Sequence, residues 1–202
     1  MFRAIFISLL IAGLAVSGQA FAQSAPKGAA TLDAKPAPKA KERCQDGETP
    51  EVAAYTIGKG PNVEKAINES LTGTPGDPEK GLQWMAHRRL GNCLACHMIS
   101  AVLERAEKTP NIEVTNLAGQ KSSQPLGNHG EIGPSLDGVA SRYTEGELRM
   151  LVVDPKAIFP DTIMPAFHKN NGFTRVHPDC QGLAILSAQQ VEDVVAFLNT
   201  LK

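Results

Sequence analysis

A chain of 202 residues carrying 20 basic and 21 acidic side chains is close to neutral. That argues against nucleic acid or an anionic membrane surface as its partner, since either favours a basic excess. Aromatic residues make up only 5% of the chain, which is sparse for a core of this size unless something else fills it.

Arg3 precedes an apolar run over residues 4–16, and Ala20-Phe21-Ala22 supplies small residues where a signal peptidase cuts. Residues 1–22 are therefore expected to be a secretory signal peptide, with a mature chain starting at Gln23 in the periplasm. The apolar run is too short to span a bilayer, and no later stretch approaches the necessary length. Residues 23–43, with the run SAPKGAATLDAKPAPKAK, hold hardly a large apolar side chain and are predicted to be a flexible tail. Residues 44–76 regain Val52, Tyr55, Ile57, Val63, Ile67 and Leu71, the density of an ordered extension packed on a main domain.

The main domain, 77–202, reads as helices. Asp77-Pro78-Glu79 opens the first with a capping acid and a proline at the first helical position. Leu82, Met85, Ala86 and Leu90 follow at helical spacing and lead into Cys93. Between 98 and 132 lie an apolar-periodic piece (Ile99, Val102, Leu103) and a polar, glycine-rich stretch, expected to be a solvated insertion unless it covers a cofactor edge or meets a partner. Thr144 and Glu147 have capping-box spacing, Leu148, Leu151 and Val152 mark a face, and Asp154-Pro155 ends the helix. Ser187 and Gln190 form a second box, opening a terminal helix with Val191, Val194, Val195, Leu198 and Leu201 on one stripe. No segment shows the sustained alternation of a strand, so the expected fold class is all-α.

The chemistry centres on GNCLACH. Cys-x-x-Cys-His is the attachment signature of a c-type haem: Cys93 and Cys96 are spaced to add to the porphyrin's vinyl groups, and His97 to ligate the iron. A zinc site would want a second Cys/His pair at ligand spacing, and a thioredoxin-like pair a βαβ context; the sequence has neither. The second axial ligand is assigned to Met164, in DTIMPAF, where Pro165 stiffens the loop. Met85 and Met150 lie in helix stripes, Met98 is too close to His97, and Met1 is in the signal. His168 is the competing residue; His87 and His129 read as surface histidines. Gly133-Pro134-Ser135-Leu136 is either a plain turn or the loop whose Pro134 carbonyl accepts the Nδ1 proton of the proximal histidine. In an exported protein the remaining pair, Cys44 and Cys180, is expected to form a disulfide closing a loop of well over a hundred residues, worth about 5 kcal/mol on chain entropy. The open alternative is a thiol that joins sulfur chemistry or ligates iron.

Taken in order, CLACH, GPSL, TIMPAF and the amphipathic C-terminal helix resemble a class I cytochrome c built around one covalently bound haem c. The flanking runs ESLTGTPGDPEKG, GPSLDGVASRYTEGELRMLVVDPKAIFPDTIMPAFHK and LSAQQVEDVVAFLNTL are similar to the SoxX family, the monohaem subunits of the sulfur-oxidation cytochromes SoxAX. The resemblance covers about 70–202. It implies a heterodimer with a SoxA-like haem subunit, together an L-cysteine S-thiosulfotransferase that joins thiosulfate to a cysteine of a SoxYZ-like carrier. The reacting site would lie on the partner, while this chain's His/Met haem accepts the electrons and passes them to a small cytochrome c. A free-standing soluble class I cytochrome c is the alternative reading.

Overall fold

The computed structural model describes residues 52–116, 119–176 and 178–202. The expected signal peptide, the Ala/Pro/Lys-rich tail and Cys44 lie outside them. Helices carry most of the framework, and three of them start where local chemistry says they should. In α1 (Pro78–Ala86), the Asp77 side chain accepts the N–H groups of Glu79 and Lys80, with Pro78 at the first position. In α4 (Glu145–Val153), Thr144 and Glu147 cap each other's backbone, and in α5 (Ala188–Leu198), Ser187 and Gln190 do the same. Two further helices, α2 (Ser100–Lys108) and the short α3 (Val139–Arg142), lie between α1 and α4 in the chain.

α5 packs against both α1 and α4. The crossing with α1 is close because Gly81 has no side chain: a Cβ there would collide with the Asp193 carbonyl. Across the same contact Trp84 Nε1 donates to Asp193 Oδ2 at 3.0 Å, which satisfies both polar groups inside the apolar contact. Leu82, Met85, Leu148, Met150, Val191, Val194 and Val195 fill the space between the helices. Met85 and Met150 are thus core residues, as their helix stripes predict.

The 98–132 segment departs from expectation. It contains an antiparallel hairpin, β1 (Asn111–Thr115) paired with β2 (Lys121–Pro125), with Asn111 opposite Pro125 and Thr115 opposite Lys121. Ile112 and Val114 on β1, Val102 on α2 and Leu126 just past β2 all belong to the hydrophobic core. The segment is therefore a packed cover rather than a solvated insertion. Alternation in NIEVT is too short to stand out, and KSSQP has no apolar residue to mark it as a strand.

Residues 52–76 form an irregular strap whose backbone is stitched down by buried side chains. Arg149, the largest wholly buried side chain, pairs with Glu192 (Nε to Oε1, 2.8 Å) and donates to the Ile67 carbonyl at 2.8 Å. Glu192 Oε1 accepts the Leu71 N–H at 2.7 Å, and Asp193 Oδ1 accepts that of Asp77 at 2.9 Å. Glu147 receives the N–H groups of Asn62 and Val63 at 2.6 and 2.8 Å. These carboxylates are buried yet paired, the condition under which interior charge is tolerated.

Candidate cofactor site

Cys93-Leu94-Ala95 forms a single 3₁₀ turn after α1, entered through Asn92 in the left-handed region at φ 47°, a conformation that asparagine tolerates better than most residues. The turn closes with Cys96 N–H and His97 N–H both reaching the Cys93 carbonyl, at 3.1 and 3.0 Å. Leu94 points into the core. Cys93 and Cys96 are free thiols. Burial, with Cys96 beside it, pushes the Cys93 thiol up to about 12 against the pull of a backbone hydrogen bond, so it stays protonated at neutral pH.

The 129–136 loop is laced to this turn from the other side. Gly130 N–H donates to the Leu94 carbonyl (2.9 Å), Gly133 N–H to Cys96 (2.8 Å) and Leu136 N–H to Met98 (3.0 Å). His97 Nδ1 lies 2.7 Å from the Pro134 carbonyl. A carbonyl only accepts, so Nδ1 carries the proton and Nε2 the lone pair. The imidazole rests against Gly133, where a Cβ would collide with the ring. The sequence marks Gly133-Pro134 as a turn or a receiving loop, but only the packed ring shows that position 133 has no room for a side chain.

Met164 sits between the 3₁₀ turn Pro155–Ala157, which follows α4, and a buried stretch over residues 166–168. It packs on the same hydrophobic cluster as Cys93 and Leu136. Its N–H donates to Thr162 Oγ1 at 3.2 Å, and Lys156 Nζ ties the Thr162 carbonyl at 2.6 Å. The other candidates are engaged elsewhere. His168 is fully buried, with Nδ1 donating to the Leu186 carbonyl (2.8 Å) and Nε2 accepting the Ala53 N–H (2.9 Å), so neither nitrogen is spare. His129 Nδ1 accepts the Ile99 N–H at 3.1 Å, which leaves the ring proton on Nε2, a buried N–H without a hydrogen-bond partner among the described residues and so not a lone pair for iron. His87 is only 4% exposed and accepts the Arg89 N–H at 3.2 Å. It is a buried residue, contrary to the surface reading, because it caps the end of α1, which packs against β1. Cys180 is disulfide-bonded, and Cys44 lies outside the described residues.

Two unpaired thiols on one turn, an imidazole with its Nε2 lone pair free, and a thioether with no hydrogen-bonding role form a donor set that fits a covalently attached haem. A zinc site would want further Cys or His ligands beside this turn, and among the described residues no group of three or more His, Cys, Asp or Glu side chains is placed to hold a metal ion.

Comparison with known proteins agrees with this chemistry. The family model for cytochrome c matches residues 79–202. Among solved structures, the crystal structure of SoxXA from P. pantotrophus is similar, with a TM-score of 0.53 and 42% sequence identity over 68% of this chain and 90% of that chain. No curated protein matches the chain.

Proposed function

The chain belongs to the cytochrome c family as a SoxX-like member with covalently bound haem c, and from that premise we propose that it is the electron-outlet subunit of a thiosulfate-oxidising complex. Cys93 and Cys96 would hold the haem through thioethers to its vinyl groups. His97, through Nε2, and Met164 would ligate its iron. The observation that carries this assignment is the 2.7 Å contact from His97 Nδ1 to the Pro134 carbonyl, which fixes the tautomer and orients the ring so that the Nε2 lone pair is available. The haem, when bound, would supply one-electron transfer.

The reaction served is the oxidative joining of thiosulfate to a carrier cysteine. The carrier thiol and thiosulfate form a sulfur–sulfur bond, one proton is released, and two electrons leave in successive one-electron transfers. The reacting site lies on a SoxA-like haem subunit, the carrier is SoxYZ-like, and a small cytochrome c takes the electrons onward. The likeness to SoxXA supports the partner. Export through a signal peptide at 1–22 places the protein in the periplasm, and no helix among the described residues is long and apolar enough to cross a membrane. A Cys44–Cys180 disulfide ties the start of the extension to the haem domain.

The test is purification of the native protein from its periplasm, followed by gel filtration and haem staining. A second haem-bearing polypeptide co-eluting at equal stoichiometry is the expected result. A lone monomer would contradict it and make the chain a free-standing soluble electron carrier.

A further inference from the structure

We propose that His168 is a positioning residue that locks the Met164 loop to the 52–76 strap and so holds the axial thioether in place. The proposal rests on the reading of Met164 as an iron ligand given above.

His168 stands where three separate segments meet. Its ring joins the Met164 loop to Leu186, just before α5, and to Ala53, at the start of the strap, through hydrogen bonds of 2.8 and 2.9 Å. The position is fully buried. An apolar residue would pack there, but a neutral imidazole both donates from one edge and accepts at the other within one rigid plane. Burial holds its pKa below the usual histidine value, against the pull of the Leu186 carbonyl, so the neutral ring with its accepting Nε2 persists.

The surrounding backbone shows why this anchor bears on the ligand. Phe167 N–H reaches the Val152 carbonyl at 3.1 Å and His168 N–H the Val153 carbonyl at 3.4 Å, using groups at the C-terminal end of α4 that have no partner within the helix. Leu186 N–H returns to the Phe167 carbonyl at 2.8 Å, and Lys169 Nζ pairs with Asp154 at 2.6 Å. Next to the ligand the chain is loosely held: Ile163 is 80% exposed, and the Met164 N–H bonds only to the side chain two residues before it. The loop is thus pinned just beyond Met164, and the His168 ring supplies a hydrogen bond from there to the strap backbone.

A loosened loop leaves the thioether off the iron for a larger fraction of time, which raises the apparent affinity for an external ligand in proportion. The experiment is therefore an imidazole titration of the oxidised full-length holoprotein, with the reduction potential measured alongside. Parent, Met164→Ala, His168→Phe, His168→Gln and Ala53→Pro are compared. His168→Phe removes both bonds, while Ala53→Pro removes the strap's N–H and keeps the histidine. Both should bind imidazole at least about tenfold more tightly than the parent and show a lowered potential. His168→Gln, which can donate and accept, should recover part of the difference. Affinities within about twofold of the parent for His168→Phe and Ala53→Pro, with only the unfolding temperature lowered, would overturn the positioning role. If His168→Phe does not fold, Ala53→Pro decides by the same criterion. A Met164→Ala protein that binds imidazole no more tightly than the parent would instead overturn the ligand reading, and the lock with it.

Discussion

Glu147→Gln changes one atom of a side chain with no solvent exposure, and its effect can be worked from the contacts. Oε1 accepts the N–H groups of Asn62 and Val63, and Oε2 accepts Asn62 Nδ2 at 2.8 Å, the Thr144 N–H at 2.8 Å and Thr144 Oγ1 at 3.0 Å. Backbone and amide donors face both oxygens, so the amide group of glutamine points N–H at N–H whichever way it turns. Burial raises the Glu147 carboxyl's pKa, but these hydrogen bonds outweigh it and bring it from 4.5 down to about 2. A carboxyl whose folded pKa is depressed contributes its full stabilisation above the unfolded pKa, and loses it as pH falls through the folded one. The gap corresponds to about 3 kcal/mol at neutral pH, falling to about half that by pH 3. Stranding two buried donors at about 1–3 kcal/mol each gives a similar figure. Urea unfolding of the parent and variant holoproteins, followed by circular dichroism, should show a deficit of about 3 kcal/mol at pH 7 that shrinks towards pH 3. A deficit under about 1 kcal/mol at pH 7, or one that does not narrow in acid, would refute the reasoning.

Arg149→Met should cost about 3–5 kcal/mol in the same assay, because Glu192 is left charged and buried without its partner; a neutral result would mean that water reaches the pair. Gly133→Ala should sharply reduce the yield of haem-attached protein while leaving the helical signal of what does form, since a Cβ meets the His97 ring; unchanged haem content would contradict the packing. Leu126→Ala should destabilise by about 2–5 kcal/mol, as a fully buried residue of the hairpin's core contact. A cost near zero in denaturant titration would return the 98–132 segment to the status of a solvated insertion.

What was legible in the sequence was local. Asp77-Pro78, Thr144 to Glu147 and Ser187 to Gln190 announce helix starts because a cap is decided within four residues. Met85 and Met150 could be set aside as core because helical spacing fixes the face they occupy. The haem turn was legible because three reactive side chains lie within five positions. What escaped was non-local. Glu147 reads as a cap, yet the same carboxylate gathers Asn62 and Val63 from far upstream, and nothing in the spacing announces it. His168 reads as a rival ligand because a histidine near a methionine has the right chemistry; only its partners at Leu186 and Ala53 remove it. The hairpin was missed because β2 has no alternating apolar residues and buries Gln124 instead.

The most direct test of the account is thiosulfate addition to the purified native complex, with and without the thiol-bearing carrier, while the haem absorption of this chain is followed. Haem reduction should require both thiosulfate and the free carrier thiol, and should then pass to an added small cytochrome c. Reduction of the isolated chain by thiosulfate alone, or none in the complete mixture, would contradict the assignment of this subunit as the electron outlet of a thiosulfate-conjugating enzyme.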